Sequence, residues 1–173
     1  FTQIFFAPRT VSLNDLLAET LGSIGGIVLF KFGRLRLARL LDAFFEGGRS
    51  SVYAAIIAYS AFYFLLSLFP YDFILSLREL QWKLNSDNWG WLIADSCSGW
   101  LRCSARQASE IVAIAPLGVF IALAAPGLSY RRIFDFGALL SLILEPVQLL
   151  LASGVSQGLS VLWRGLGLAA GAA

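Results

Sequence analysis

The sequence predicts an all-α protein, a polytopic bundle of transmembrane helices that carries a parallel internal repeat. Three observations predict it. Of the 173 residues, 58% are hydrophobic and only 14% are charged, about half the charged share of a soluble domain, and the mean hydropathy is +0.74. A compact soluble domain has too little interior for so many apolar side chains, and intrinsic disorder needs the opposite composition. The apolar residues also gather into runs of span length, about 20 residues each. In lipid the backbone must satisfy its own hydrogen bonds, so such runs are helices. Finally, the two ends of the chain carry one pattern at a fixed offset.

The elements follow in order. Residues 1–6 read as the tail of a helix. A run over 13–30 holds Asp15 and Glu19, runs over 52–70 and 111–128 hold no charge, a run over 133–151 holds Asp135 and Glu145, and the last run, 159–173, holds Arg164. The chain starts inside one apolar run and stops inside another, so it reads as a piece truncated at both ends. Lys31, Arg34, Arg36, Arg39 and Arg49 crowd the loop 31–49, and Arg131 and Arg132 occupy the turn 129–132. Two spans separate these basic loops, so they share a side, and the Lys/Arg bias places that side in the cytoplasm. The loops 7–14, 71–110 and 152–158 then face outward.

The long outer loop 71–110 has structure of its own. Phe73, Leu77, Leu80 and Leu84 repeat at helical spacing, with Asp72, Glu79 and Lys83 elsewhere on the wheel. Trp82, Trp89, Trp91 and Trp100 lie in the same stretch, and Trp favours membrane interfaces. The loop is expected to lie on the membrane surface, as an anchor or as a lid or docking surface. Cys97 and Cys103 both fall here. Outside the cytoplasm they are either a disulfide or two buried thiols.

Charge and composition exclude other classes. With 13 basic and 11 acidic residues the net charge is +2, no footprint for nucleic acid. The absence of His, with only two Cys, argues against zinc and His-based catalysis, and no cofactor is expected.

At an offset of 145 residues, Gln3, Ala7, Leu17, Leu21, Gly22 and Gly26 fall on Gln148, Ala152, Leu162, Leu166, Gly167 and Gly171. Each copy therefore has a Gly-x-x-x-Gly, which lets helices approach closely within a chain or between copies of an oligomer. Four spans intervene, so the copies run parallel. Asp15 faces Ser160, Glu19 faces Arg164 and Arg9 faces Gly154.

This pattern resembles the signature of the VanZ-like membrane family: Glu-x-x-Gln at a helix end, a turn containing Arg, then Asp-x-x-x-Asn before a Gly-rich helix. Gln3, Arg9, Asp15 and Gly22 match in the first copy, where Glu19 replaces the family's Asn, and Glu145 and Gln148 match in the second, which lacks the Arg and Asp-x-x-x-Asn. The resemblance covers the motifs at 1–30 and 145–173 and implies a single domain over 1–173. It implies a multi-pass protein of the cell membrane and envelope, in a family named for resistance to the glycopeptide teicoplanin.

Ionisable residues inside spans mark a functional site by default. The candidate binding cluster on the outer face is Gln3, Arg9, Asp15, Glu19, Glu145, Gln148 and Arg164. Asp15 and Glu19 share a helix face, as do Glu145 and Gln148. The repeat offset suggests an ion pair between Glu19 and Arg164. Arg9 suits a phosphate or carboxylate. Each residue also has a purely structural reading, as bundle glue or, for Asp15, as a helix cap. Three function classes stay open. They are non-catalytic binding or shielding of a cell-wall precursor or anionic lipid, an enzyme on a lipid-linked substrate with Asp15 or Glu19 as acid or base, and a small transporter. The first is the expectation, because no nucleophile–base pair or metal motif supports catalysis.

Overall fold

The computed structural model describes residues 13–94 and 99–173. Among the described residues the regular elements are helices apart from two very short strands. The chain divides into two compact units, residues 1–46 and 47–173.

In the first unit a single helix, α1 (Leu13–Glu46), runs through 34 residues. It passes without a break through most of the basic segment that sequence reading assigns to a loop. The physical reason is local. Residues 31–46 are dominated by Leu, Arg, Ala and Phe and hold no Pro and only one Gly, so nothing stops propagation. The break comes at Gly47 and Gly48, with φ of +80° and +68°, a conformation that costs other residues dearly.

The second unit begins with α2 (Gly48–Ser67). A short helix, α3 (Leu77–Leu84), follows; Ser76 caps it by accepting from the Glu79 N–H, and the Glu79 carboxylate accepts from the Leu75 N–H in return. Next come β1 (Trp89–Gly90), α4 (Trp100–Ala124), α5 (Tyr130–Leu149), β2 (Ser156–Gln157) and α6 (Leu159–Gly171). α2 and α4 each contain a segment long and apolar enough to cross a membrane, Gly48–Ser67 and Cys103–Ala124. Among the described residues the other expected spans are also helical, but charges interrupt α5, and α6 has 13 residues; the expected helix end at 1–6 lies outside the described residues.

α4 differs from expectation at its start. Sequence reading opens the span at 111, after the last charge; the helix opens at Trp100, behind Gly99 with φ +95°. Arg106 and Glu110 are therefore helical residues, four apart on one face.

α6 packs against both α4 and α5, and α2 packs on α4. The core is formed by Tyr63, Ile114, Leu117, Ile133, Leu144 and Leu168. Glycine makes the α4–α6 contact possible. A Cβ on Gly167 would stand 2.6 Å from the Ile111 carbonyl oxygen, and one on Gly171 would collide with the Ala115 carbonyl. The second Gly-x-x-x-Gly is thus used inside the chain.

The segment after α2 folds onto the α5–α6 connection. Phe73 bridges Leu151, and β1 pairs with β2 in parallel. α3 is oriented against its apolar stripe: Leu77 and Leu84 are exposed, whereas Lys83 is wholly buried. Its ammonium donates to the carbonyls of Ala152, at 3.0 Å, and Gly154. These two carbonyls, which no helix or strand satisfies, offset part of the cost of burying the ammonium.

Candidate functional site

Where the C-terminal half of α2 meets the N-terminal half of α4, a cleft of about 410 Å³ opens. α2 lines it with Tyr59, Tyr63 and Ser67, α4 with Arg106 and Glu110, α5 with Gln148 and α6 with Arg164. The site sits at the same end of the bundle as α3 and the α5–α6 connection, because Arg106 reaches the Val155 carbonyl at 3.2 Å.

Arg164 is the pivot. It is 3% exposed. Its Nη1 lies 2.9 Å from the Glu145 carboxylate and 2.9 Å from the Ser141 hydroxyl, and its Nη2 donates to the Gln148 side-chain oxygen at 3.2 Å. The 145-residue offset suggests Glu19 as the partner of this cation; the carboxylate on Arg164 is Glu145. α5 and α6 are antiparallel neighbours in which Gly137 lies against the Arg164–Gly165 backbone. Glu145 lies two turns further along α5, beside Gln157, and the long Arg164 side chain reaches back toward the start of α6 to meet it. Glu145 also accepts from the Gln157 N–H at 2.7 Å and the Ser156 hydroxyl at 2.9 Å, so one carboxylate closes the ion pair and ties β2 to α5. Gln148 donates to the Ser67 carbonyl at 3.0 Å and so joins α5 to α2.

Across the cleft, Glu110 accepts from the Ser160 hydroxyl at 3.1 Å and lies 3.8 Å from Arg106. Three polar atoms of these lining residues are buried without a hydrogen bond, Arg164 Nε, Glu110 Oε2 and Arg106 Nε, the last being the atom that faces Glu110 in the ion pair. Buried polar atoms are nearly always satisfied. Two guanidinium groups and one carboxylate line the cleft, and guanidinium groups suit phosphate and carboxylate oxygens.

Glu145, Gln148 and Arg164 of the expected cluster come together here. Glu19 is exposed on α1, and Asp15 lies in the first turn of that helix. Gln3, Arg9 and Cys97 lie outside the described residues. Cys103, in the first turn of α4, is disulfide-bonded. Sequence reading missed Arg106, Glu110, Ser141 and the tyrosines. The signal for the first two was their spacing of four residues directly ahead of a charge-free run.

A second cavity, about 340 Å³ and mainly apolar, lies at the opposite ends of α2 and α4, between Tyr53, Ile56, Leu117 and Leu168. Outside both cavities, burial pushes the Lys83 ammonium below its ordinary 10.5, and the nearby Asp72 carboxylate opposes the shift. Comparison with protein-family models, with curated proteins and with solved structures finds no match.

Proposed function

We propose that this chain is a multi-pass, VanZ-like protein of the cell membrane. In this reading it binds a polar, anionic group of the envelope, from a cell-wall precursor or a lipid, without transforming it. One observation carries the reading: two guanidinium side chains, Arg106 and Arg164, line a single cleft together with Glu110. Guanidinium groups suit phosphate and carboxylate oxygens. The cleft lies between the ends of two helices of span length, the C-terminal half of α2 and the N-terminal half of α4, which supports a site near one membrane surface.

The family part of the reading is supported by the Glu-x-x-Gln motif. Glu145 and Gln148, three residues apart, both engage Arg164, so the motif has a common task. Orientation rests on the Lys/Arg bias of 31–49 and 131–132, which sets the cleft on the outer side. A disulfide at Cys103 fits an oxidising compartment.

The test is titration of the purified protein in detergent with glycerol phosphate and acetate, followed by calorimetry. Binding that weakens at least tenfold in Arg106→Gln, with the unfolding temperature unchanged, supports the reading. If neither anion binds wild-type protein, the binding role fails. Expression in a teicoplanin-susceptible strain tests the family part, which an unaltered susceptibility would refute.

A further inference from the structure

At the end of the bundle opposite the cleft, α2 and α5 touch little and leave the apolar cavity of about 340 Å³ between them. α4 closes it from behind through Leu117. Tyr53, Ile56 and Ser60 line it from α2, and Phe136 and Leu140 line it from α5. Spacings of three and four residues make each set one face of its helix.

An arginine heads each face. Arg49 stands four residues before Tyr53, and Arg132 stands four residues before Phe136, so each continues a cavity-lining face by one turn. The N-termini of α2 and α5 both lie at this end, beside the last residues of α4. Helical side chains lean toward the N-terminus, which sets both guanidinium groups beyond the mouth of the cavity rather than inside it. Arg49, Arg131 and Arg132 are exposed, and among the described residues none of them forms a salt bridge. Asp135, the one acid on the segments that build this end, is exposed as well and leaves positive charge in excess.

An apolar slot with cations at its rim suits an amphiphile that joins an anionic group to hydrocarbon. A soluble anion would leave the apolar walls uncovered, and a neutral hydrocarbon would leave the guanidinium groups without acceptors. α2 is of span length and begins at Gly48, so Arg49 lies at one membrane surface, where phosphates of lipid headgroups are found. We infer that a glycerophospholipid with an anionic headgroup docks here, with an acyl chain in the cavity and its phosphate on Arg49 and Arg132. The inference rests on the membrane reading proposed above and is independent of what the cleft binds.

Native mass spectrometry of protein released from nanodiscs of equal phosphatidylglycerol and phosphatidylcholine tests it. Each arginine near an anionic headgroup contributes a factor of about five, so wild-type protein should retain phosphatidylglycerol in preference by about 30-fold. The double variant Arg49→Gln, Arg132→Gln should bring the two lipids close to parity. Arg78→Gln, an exposed position on α3 at the opposite end, should leave the preference as it is. Ser60→Phe places a ring in the cavity and should lower retention of both lipids. Equal retention of the two lipids by wild-type protein overturns the inference, as does a loss of preference in Arg78→Gln as large as in the double variant. Full retention in Ser60→Phe overturns the place of the acyl chain. The two arginine arms alter exposed side chains only and decide the matter even where Ser60→Phe does not fold. Protein that washes off membranes with carbonate and does not enter nanodiscs overturns the membrane reading itself.

Discussion

Replacing Glu145 by Gln should destabilise the protein out of proportion to the single atom changed. Gln retains an acceptor for the Gln157 N–H, so the main loss is the charge opposite Arg164. At 2.9 Å and an effective dielectric constant of about 20, that attraction is on the order of 6 kcal/mol. Most of it is offset by the cost of burying both ions. Removing one partner leaves that cost in place, and Arg164 is 3% exposed, with no solvent to take up its charge. The expected loss for Glu145→Gln is about 3–5 kcal/mol. Arg164→Gln should lose a similar amount, because the Glu145 carboxylate is then alone. The double variant removes both charges, keeps hydrogen-bonding side chains and should lose less than the sum by about 1–3 kcal/mol. Reversible unfolding in mixed micelles, followed by far-UV circular dichroism, measures all three. Losses that add to within about 0.5 kcal/mol, or single losses below that, would refute the ion-pair argument.

Lys83 should make stability depend on pH. Its folded-state pKa is lowered from 10.5 by burial, so between the lowered value and 10.5 the unfolded chain binds more protons. Stability then rises with pH across that window, while below it the burial penalty is fully present; the wild-type pH profile minus that of Lys83→Met should show this rise, and a flat difference would contradict it. Gly167→Ala should destabilise, since its Cβ would meet the Ile111 carbonyl oxygen at 2.6 Å, whereas Gly22→Ala within α1 should stabilise that helix by up to about 1 kcal/mol; unfolding temperatures that move the same way for both would count against the close α4–α6 contact. For topology, a cysteine at Asp87 should react with an impermeant maleimide on intact cells and one at Ser50 should not; the reverse pattern would invert the proposed orientation.

Much of the helical layout was legible because it depends on local composition. Long apolar runs became α2 and, despite Pro116, α4, and the pairs Gly47-Gly48 and Pro126-Gly127 mark where helices stop. The Glu145-Pro-Val-Gln148 motif was legible too, since residues three apart share a helix face whatever else the chain does. Hydropathy misjudged the helix starts. It ends a span at the nearest charge, whereas the backbone ends it at a residue that cannot continue, and so Arg106 and Glu110 were assigned to a loop although α4 opens at Trp100. Which carboxylate meets Arg164 lay beyond sequence reasoning. The offset of 145 residues compares positions in two copies, but an ion pair forms between groups that packing brings within reach, and the antiparallel approach of α5 to α6 delivers Glu145. Lys83 was placed by the same kind of cause. Its spacing marks it as a solvent-facing cation, and only the chain path through Ala152 and Gly154 supplies the two carbonyls that hold it inside.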